Sequence, residues 1–190
     1  MQELAAYIQN FFAVAPSELD TIASKFIPVE IAKGDFFLKQ GRYCHRLAFI
    51  TSGLMRIYRE VEGKEVTQWI SSPGYFVTDL ASFVFQSPGR WNIQALTDCT
   101  VYSIERDTYL NLGKEIPKWQ ELDKLFVAKC FVMLEERMFS HLHMTAEERF
   151  HRLLAESPEL FNQVPLQYLA SMIGMTPETL SRMRNKQLKG

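Results

Sequence analysis

The spacing of apolar residues divides the chain into three textures. In residues 1–15, Leu4, Tyr7, Ile8 and Phe11 fall at helical spacing, which predicts a short amphipathic helix. Pro16 and Ser17 then open a second helix, with Ser17 expected as N-cap and Asp20 three residues on. From about Phe26 the period shortens. The runs FIPVEI, FFL, LAFIT, LMRIYREV, EVTQWIS, WNIQAL and TVYSI are rich in β-branched and aromatic residues. Glycines at 34, 41, 53, 63, 74 and 89 punctuate them, which is the spacing of an antiparallel sandwich or roll. VEGKE is its clearest hairpin turn.

After Gly113 the texture changes again. No Gly or Pro interrupts the chain between Pro117 and Leu142, enough for a helix of about 39 Å. Leu122, Leu125, Val132 and Phe139 form one stripe, broken by Lys129 and Glu136, and Phe131, Leu134 and Met138 form a second. Two apolar faces need two partners. One is expected to be the β part; the other is a second copy of the chain, or else the helix lies in a monomer core. Thr145 reads as the N-cap of a further helix with Glu148 at the capping-box position, and so marks the junction after the long helix. The predicted fold class is α+β. A jelly-roll-like antiparallel β-roll is expected over 1–113, a long dimerisation helix over 114–143 and an all-α helix-turn-helix domain over 144–190.

The last segment carries the most specific pattern. Leu169, Met172 and Ile173 line a short helix in which Ala170 is small where a second helix must cross closely. Gly174 supplies a turn, and the second helix starts with Thr176 as N-cap and Pro177 at the first helical position. Leu180 and Met183 are spaced to pin it to the first helix. Glu178, Ser181, Arg182 and Asn185 then recur as one polar stripe. Glutamate accepts from cytosine N4 and arginine forks onto guanine O6 and N7, so Glu178, Ser181 and Arg182 are candidate base readers. Thr176, Thr179, Arg184 and Lys186 flank the stripe as candidate phosphate contacts. A basic helix C-terminus alone decides nothing, because cations there favour the dipole of any helix.

The stretch ASMIGMTPETLSRMR, after a long helix and a β-rich N-terminal part, resembles the Crp–Fnr family of bacterial transcription regulators over nearly the whole chain. The family's Glu-Thr-(Val/Leu)-Ser-Arg signature is similar to Glu178-Thr179-Leu180-Ser181-Arg182. The resemblance implies a homodimer joined through the long helix that reads a pseudo-palindromic operator, with RNA polymerase as a further partner. It also implies a β-roll of the cyclic-nucleotide-binding type. Here the family's Gly-Glu-Leu-Ala stretch is matched by Thr78-Asp79-Leu80-Ala81, and the Arg-Ser/Thr-Ala triplet is missing. Arg90 is nearby, but bulky Trp91 stands where the pattern wants a small residue. Asp79, Leu80, Arg90 and Trp91 are the candidate ligand pocket, with a degraded phosphate cassette. No cofactor is expected, although a cyclic nucleotide stays open as an alternative ligand.

Composition narrows the remaining classes. Hydrophobic content of 47% and charged content of 23% are those of a soluble globular protein. Net charge is −1, yet Thr176–Gly190 holds four cations against one acid, so positive charge gathers at one end. Cys44, Cys99 and Cys130 are isolated, which argues against a disulfide framework, a zinc knuckle or an oxygen-sensing cluster. His141 and His143, two apart, point to different sides of a helix and read as a surface feature near a hinge, not a metal site. The β segment has one histidine, His45, too few for a metal-dependent oxygenase, and no catalytic constellation stands out. The start has no basic n-region and no run is long enough to span a bilayer, so a non-enzymatic cytoplasmic protein is expected. The competing reading is a ligand-sensing dimer whose C-terminal helices bind a protein partner instead of DNA.

Overall fold

The computed structural model describes residues 2–12 and 15–187. Helices α1 (Gln2–Phe12) and α2 (Pro16–Ser24) precede strands β1 (Ile27–Ile31), β2 (Phe36–Leu38), β3 (Arg46–Ser52), β4 (Met55–Val61), β5 (Lys64–Ser71) and β6 (Phe76–Val77). Helix α3 (Leu80–Phe85), β7 (Asn92–Ala95), β8 (Cys99–Glu105) and α4 (Arg106–Glu115) follow. The long helix α5 (Trp119–His143) leads to α6 (Ala146–Glu156), α7 (Leu160–Gln163), α8 (Leu166–Met172) and α9 (Pro177–Gln187). This is the α+β class expected from the sequence.

The strands form two antiparallel four-stranded sheets, ordered β1-β8-β3-β6 and β2-β7-β4-β5. They face each other over a core that includes Phe37, Ile50, Met55, Ile93 and Val101. The run LAFI of β3 is apolar throughout because both of its faces are covered. Ala48 and Ile50 point into the roll, whereas Leu47 and Phe49 point outward, as the two-residue period requires. That outer face is covered by Leu4 and Ile8 of α1, Leu112 of α4 and Leu122 and Phe126 of α5. The VEGKE turn closes β4 onto β5 with Glu62 at φ 53° and Gly63 at φ 74°, the two positive values of the turn that matches strand twist.

Several local expectations change. The second helix is capped at Ala15, not Ser17, because Pro16 already occupies its first turn, and Glu18 accepts from the Ala15 backbone N–H at 3.2 Å. The side chain of Phe11, assigned to the first stripe, lies outside the described residues. Residues 106–113, placed with the β-roll, and residues 114–115, placed with the long helix, form α4 instead, since the Tyr109 and Leu112 spacing buries both against the roll. Thr145 does cap α6, with its hydroxyl 3.2 Å from the Glu148 N–H and the Glu148 carboxylate 2.7 Å from the Thr145 N–H. One face of the long helix is covered along its length, from Trp119 to Ser140, and its large apolar side chains sort mainly by position. Trp119, Leu122 and Phe126 are buried on the roll, while Phe131, Leu134, Met138 and Phe139 are exposed.

The last four helices share a core that also includes Leu54 and Ile70 of the roll. Beneath α8, the outward residues Arg56 and Tyr58 of β4 are buried as well. The second sheet is therefore covered on its outer face by the C-terminal helices.

Candidate nucleic-acid interface

Two short helices build this surface. Ala170 of α8 and Leu180 of α9 are fully buried, so the small residue lets the second helix cross closely. Met183 packs on the same core. Between the helices Gly174 adopts φ 69°, a left-handed conformation that costs a residue with a Cβ about 1–2 kcal/mol. It lets the Met175 N–H reach back to the Ala170 carbonyl at 2.9 Å. Thr176 then accepts from the Thr179 N–H at 3.3 Å, the N-cap contact expected from the sequence.

The polar stripe faces outward. Glu178, Arg182 and Asn185 are exposed and Ser181 is half-buried. Hydrogen bonds from its own backbone N–H and from the Thr176 hydroxyl, with Arg182 adding its charge, hold the Glu178 carboxyl below its ordinary range. It is therefore an ionised acceptor at neutral pH. Arg182 Nη2 donates to Thr179 Oγ1 at 3.4 Å, which aims the guanidinium along the helix face. Of the flanking residues, Thr176 and Lys186 are exposed, and Thr179 and Arg184 are half-buried. One helix face thus presents an acceptor, a forked donor and a hydroxyl together, the residue types that read base edges.

The seat of this helix pair uses residues that periodicity could not single out. Arg149 of α6 donates from Nε to the Ile173 carbonyl at 2.8 Å and from Nη1 to the Met144 carbonyl at 2.7 Å. His141 lies between the Arg137 carbonyl at 3.0 Å and the Met172 carbonyl at 3.3 Å, so it ties α5 to the end of α8. Both satisfy free carbonyls at helix ends. Among the described residues no group of three or more His, Cys, Asp or Glu is placed to hold a metal ion. No helix among them is long and apolar enough to cross a membrane.

The second candidate pocket is at α3. Asp79, 1% exposed, is the N-cap of that helix. Its Oδ1 accepts from the Ser82 N–H at 3.0 Å, and its Oδ2 from the Arg90 N–H at 2.6 Å and the Trp91 N–H at 3.3 Å. The chain reaches Asp79 through Gly89, where a Cβ would lie 2.8 Å from the Arg42 carbonyl oxygen. The side chains of Leu80 and Arg90 are exposed, and Trp91 is half-buried with the Arg59 guanidinium 5.5 Å from its ring centre. A cavity of about 20 Å³ under Phe76 and Trp119, and a more open cleft of about 410 Å³ beside Lys39 and Arg46, involve none of the four. Asp79→Ala is expected to lower stability by about 2 kcal/mol, because three backbone donors, one of them buried, lose their acceptor. Thermal or denaturant unfolding checks this.

Comparison with known proteins agrees with the geometry. Residues 28–115 match the cyclic nucleotide-binding domain family. No curated protein sequence matches the chain significantly. Among solved structures, the Thermus thermophilus catabolite activator protein is 23% identical, with a TM-score of 0.58 over 94% of this chain and 86% of that one. FixK2 of Bradyrhizobium japonicum is 15% identical, with a TM-score of 0.71 over 86% and 85%. The c-di-GMP-responsive global regulator CLP of Xanthomonas campestris is 15% identical, with a TM-score of 0.69 over 92% of each chain. Residues 28–115 are thus similar to cyclic nucleotide-binding domains, and the chain as a whole has the fold shared by these regulators.

Proposed function

We propose that the protein is a sequence-specific DNA-binding transcription regulator that acts as a homodimer. The observation that carries this reading is the outward stripe of Glu178, Ser181, Arg182 and Asn185 on a helix capped by Thr176 and seated through Leu180. Glu178, Ser181 and Arg182 read bases, while Thr176, Thr179, Arg184 and Lys186 hold backbone phosphates. The exposed apolar side chains along the second half of α5 supply the dimer contact, in the manner of paired long helices. On this reading residues 1–113 are the sensor roll, 114–143 the dimerisation helix and 144–190 the DNA-binding domain. The protein catalyses nothing, works in the cytoplasm, and acts on transcription through RNA polymerase.

The roll's cassette is degraded as a cyclic-phosphate site. A phosphate cradle needs free backbone N–H groups and a positioned cation. At α3 the Arg90 and Trp91 N–H groups are already bonded to the Asp79 carboxylate, and the Arg90 side chain faces solvent. A small ligand of another kind would act through the two arrangements of the dimer that it binds unequally.

Binding to a short duplex tests the DNA reading. Affinity is expected to fall steeply with salt, with a log–log slope of about −0.9 for each phosphate neutralised. No duplex binding at low salt, with capture of a protein partner through α9, would establish the competing reading.

A further inference from the structure

Arg56 of β4 is 1% exposed, on the outer face of the second sheet. A guanidinium buried this deeply is costly unless its donors and its faces are met. Nε donates to Thr67 Oγ1 at 3.0 Å, and Nη1 pairs with Glu65 at 2.6 Å. The cation lies 4.0 Å from the ring centre of Tyr58 and 3.5 Å from that of Tyr168, distances of strong cation–π contact. Thr67, Glu65 and Tyr58 all belong to the β4–β5 hairpin. Tyr168 belongs to α8.

A second contact joins the same two elements. β5 is the end strand of its sheet, where outward N–H groups have no strand to pair with. The Thr67 N–H donates to Ser171 Oγ of α8 at 2.9 Å. Tyr168 and Ser171 are three apart, so they share one face of the helix, and that face lies on β5. Ala170 is buried with Leu180 of α9 in the same core. This seven-residue helix is therefore held between the roll and α9. Alongside, Arg137 of α5 stacks on Trp69 of β5 at 4.0 Å and donates to the Gln68 carbonyl.

We propose that Arg56 is a pin that locks the DNA-reading helices onto the β4–β5 hairpin, so that the roll, and not the α5–α6 junction alone, sets the direction of α9. The proposal rests on the reading of α9 as the DNA-reading helix. Its physical basis is discreteness. A slide of α8 by a few ångströms would strip Tyr168 from Arg56 and leave a buried cation uncovered, so intermediate positions are disfavoured. The docked position leaves the stripe of Glu178, Arg182 and Asn185 open, so the pinned state is the one that engages DNA. Anything that shifts the β4–β5 hairpin then changes DNA affinity through Arg56.

Hydrogen exchange and duplex binding on the full-length dimer test this together. Tyr168→Ala is expected to speed exchange of the Thr67 amide by at least about 10-fold as the docked state opens. It should also weaken DNA binding by about 10-fold with an unchanged salt slope, because only the competent fraction falls. Tyr168→Phe, which keeps the ring, should restore both. If Tyr168→Ala does not fold, Arg56→Lys, which keeps the charge and loses the planar fork, is read in the same way. Unchanged Thr67 exchange overturns the pin. Faster exchange with equal or tighter DNA binding overturns its proposed sense. If the unmodified protein binds no duplex, the DNA reading fails while the exchange result still decides whether Arg56 holds the helices down.

Discussion

With Phe131 and Met138 both replaced by glutamate, the protein is expected to sediment as a monomer and to bind a two-half-site operator at least about 100-fold more weakly. These side chains are 58% and 61% exposed, and Leu142 near the end of the same helix is 77% exposed. A continuous row of large apolar side chains in water marks a contact surface. A glutamate pair placed at the centre of a two-fold contact puts like charges opposite each other and removes apolar burial at the same time. The fold of each protomer should survive, because neither side chain belongs to its core. The loss in DNA binding follows from geometry. One half-site held by one helix loses the second, tethered contact, whose effective concentration supplies the avidity. Sedimentation together with far-ultraviolet circular dichroism separates this result from unfolding. A variant that remains dimeric contradicts the assignment of α5.

Arg182→Ala is expected to lower affinity for the preferred duplex by about 10- to 100-fold and to relax base preference at one position in each half-site. The forked guanidinium lies on the exposed face beside an ionised Glu178, and truncation removes its bidentate reach. Lys186→Ala should behave differently. Its exposed ammonium is proposed to meet a phosphate, so all sequences should weaken alike and the salt slope should shrink by about one unit. Competition binding with a panel of single-base variants distinguishes the two. Uniform weakening from both substitutions would mean that Arg182 holds backbone and reads no base.

The helix-turn-helix was legible in the sequence because its signals are local. Ala170, Gly174, Thr176 and Leu180 lie within eleven residues, and each has a steric or hydrogen-bonding reason for its position. The strands were legible for a similar reason, since alternation and glycine punctuation act over a few residues. What stayed hidden depends on contacts between distant parts of the chain. Arg56 lies in the run LMRIYREV with no local signal of burial, and Tyr168, more than a hundred positions later, is among the residues that cover it. Asp79 read as a candidate ligand contact because it stands where the resembled family has the glutamate of Gly-Glu-Leu-Ala. The fold brings the Arg90 and Trp91 backbone onto its carboxylate, which ties Asp79 to the chain itself. The stripes on α5 were visible, but not which of their apolar side chains the roll covers.

The roll is packed through its interior, its α3 cradle is occupied by its own aspartate, and α8 joins the hairpin of the same roll to α9. Selection of bound sequences from a pool of random duplexes tests the central claim most directly. The account predicts enrichment of a two-fold symmetric motif with half-sites about one helical turn apart, altered at one position per half-site by Arg182→Ala. Failure to enrich any motif, or a motif indifferent to Glu178 and Arg182, would contradict it.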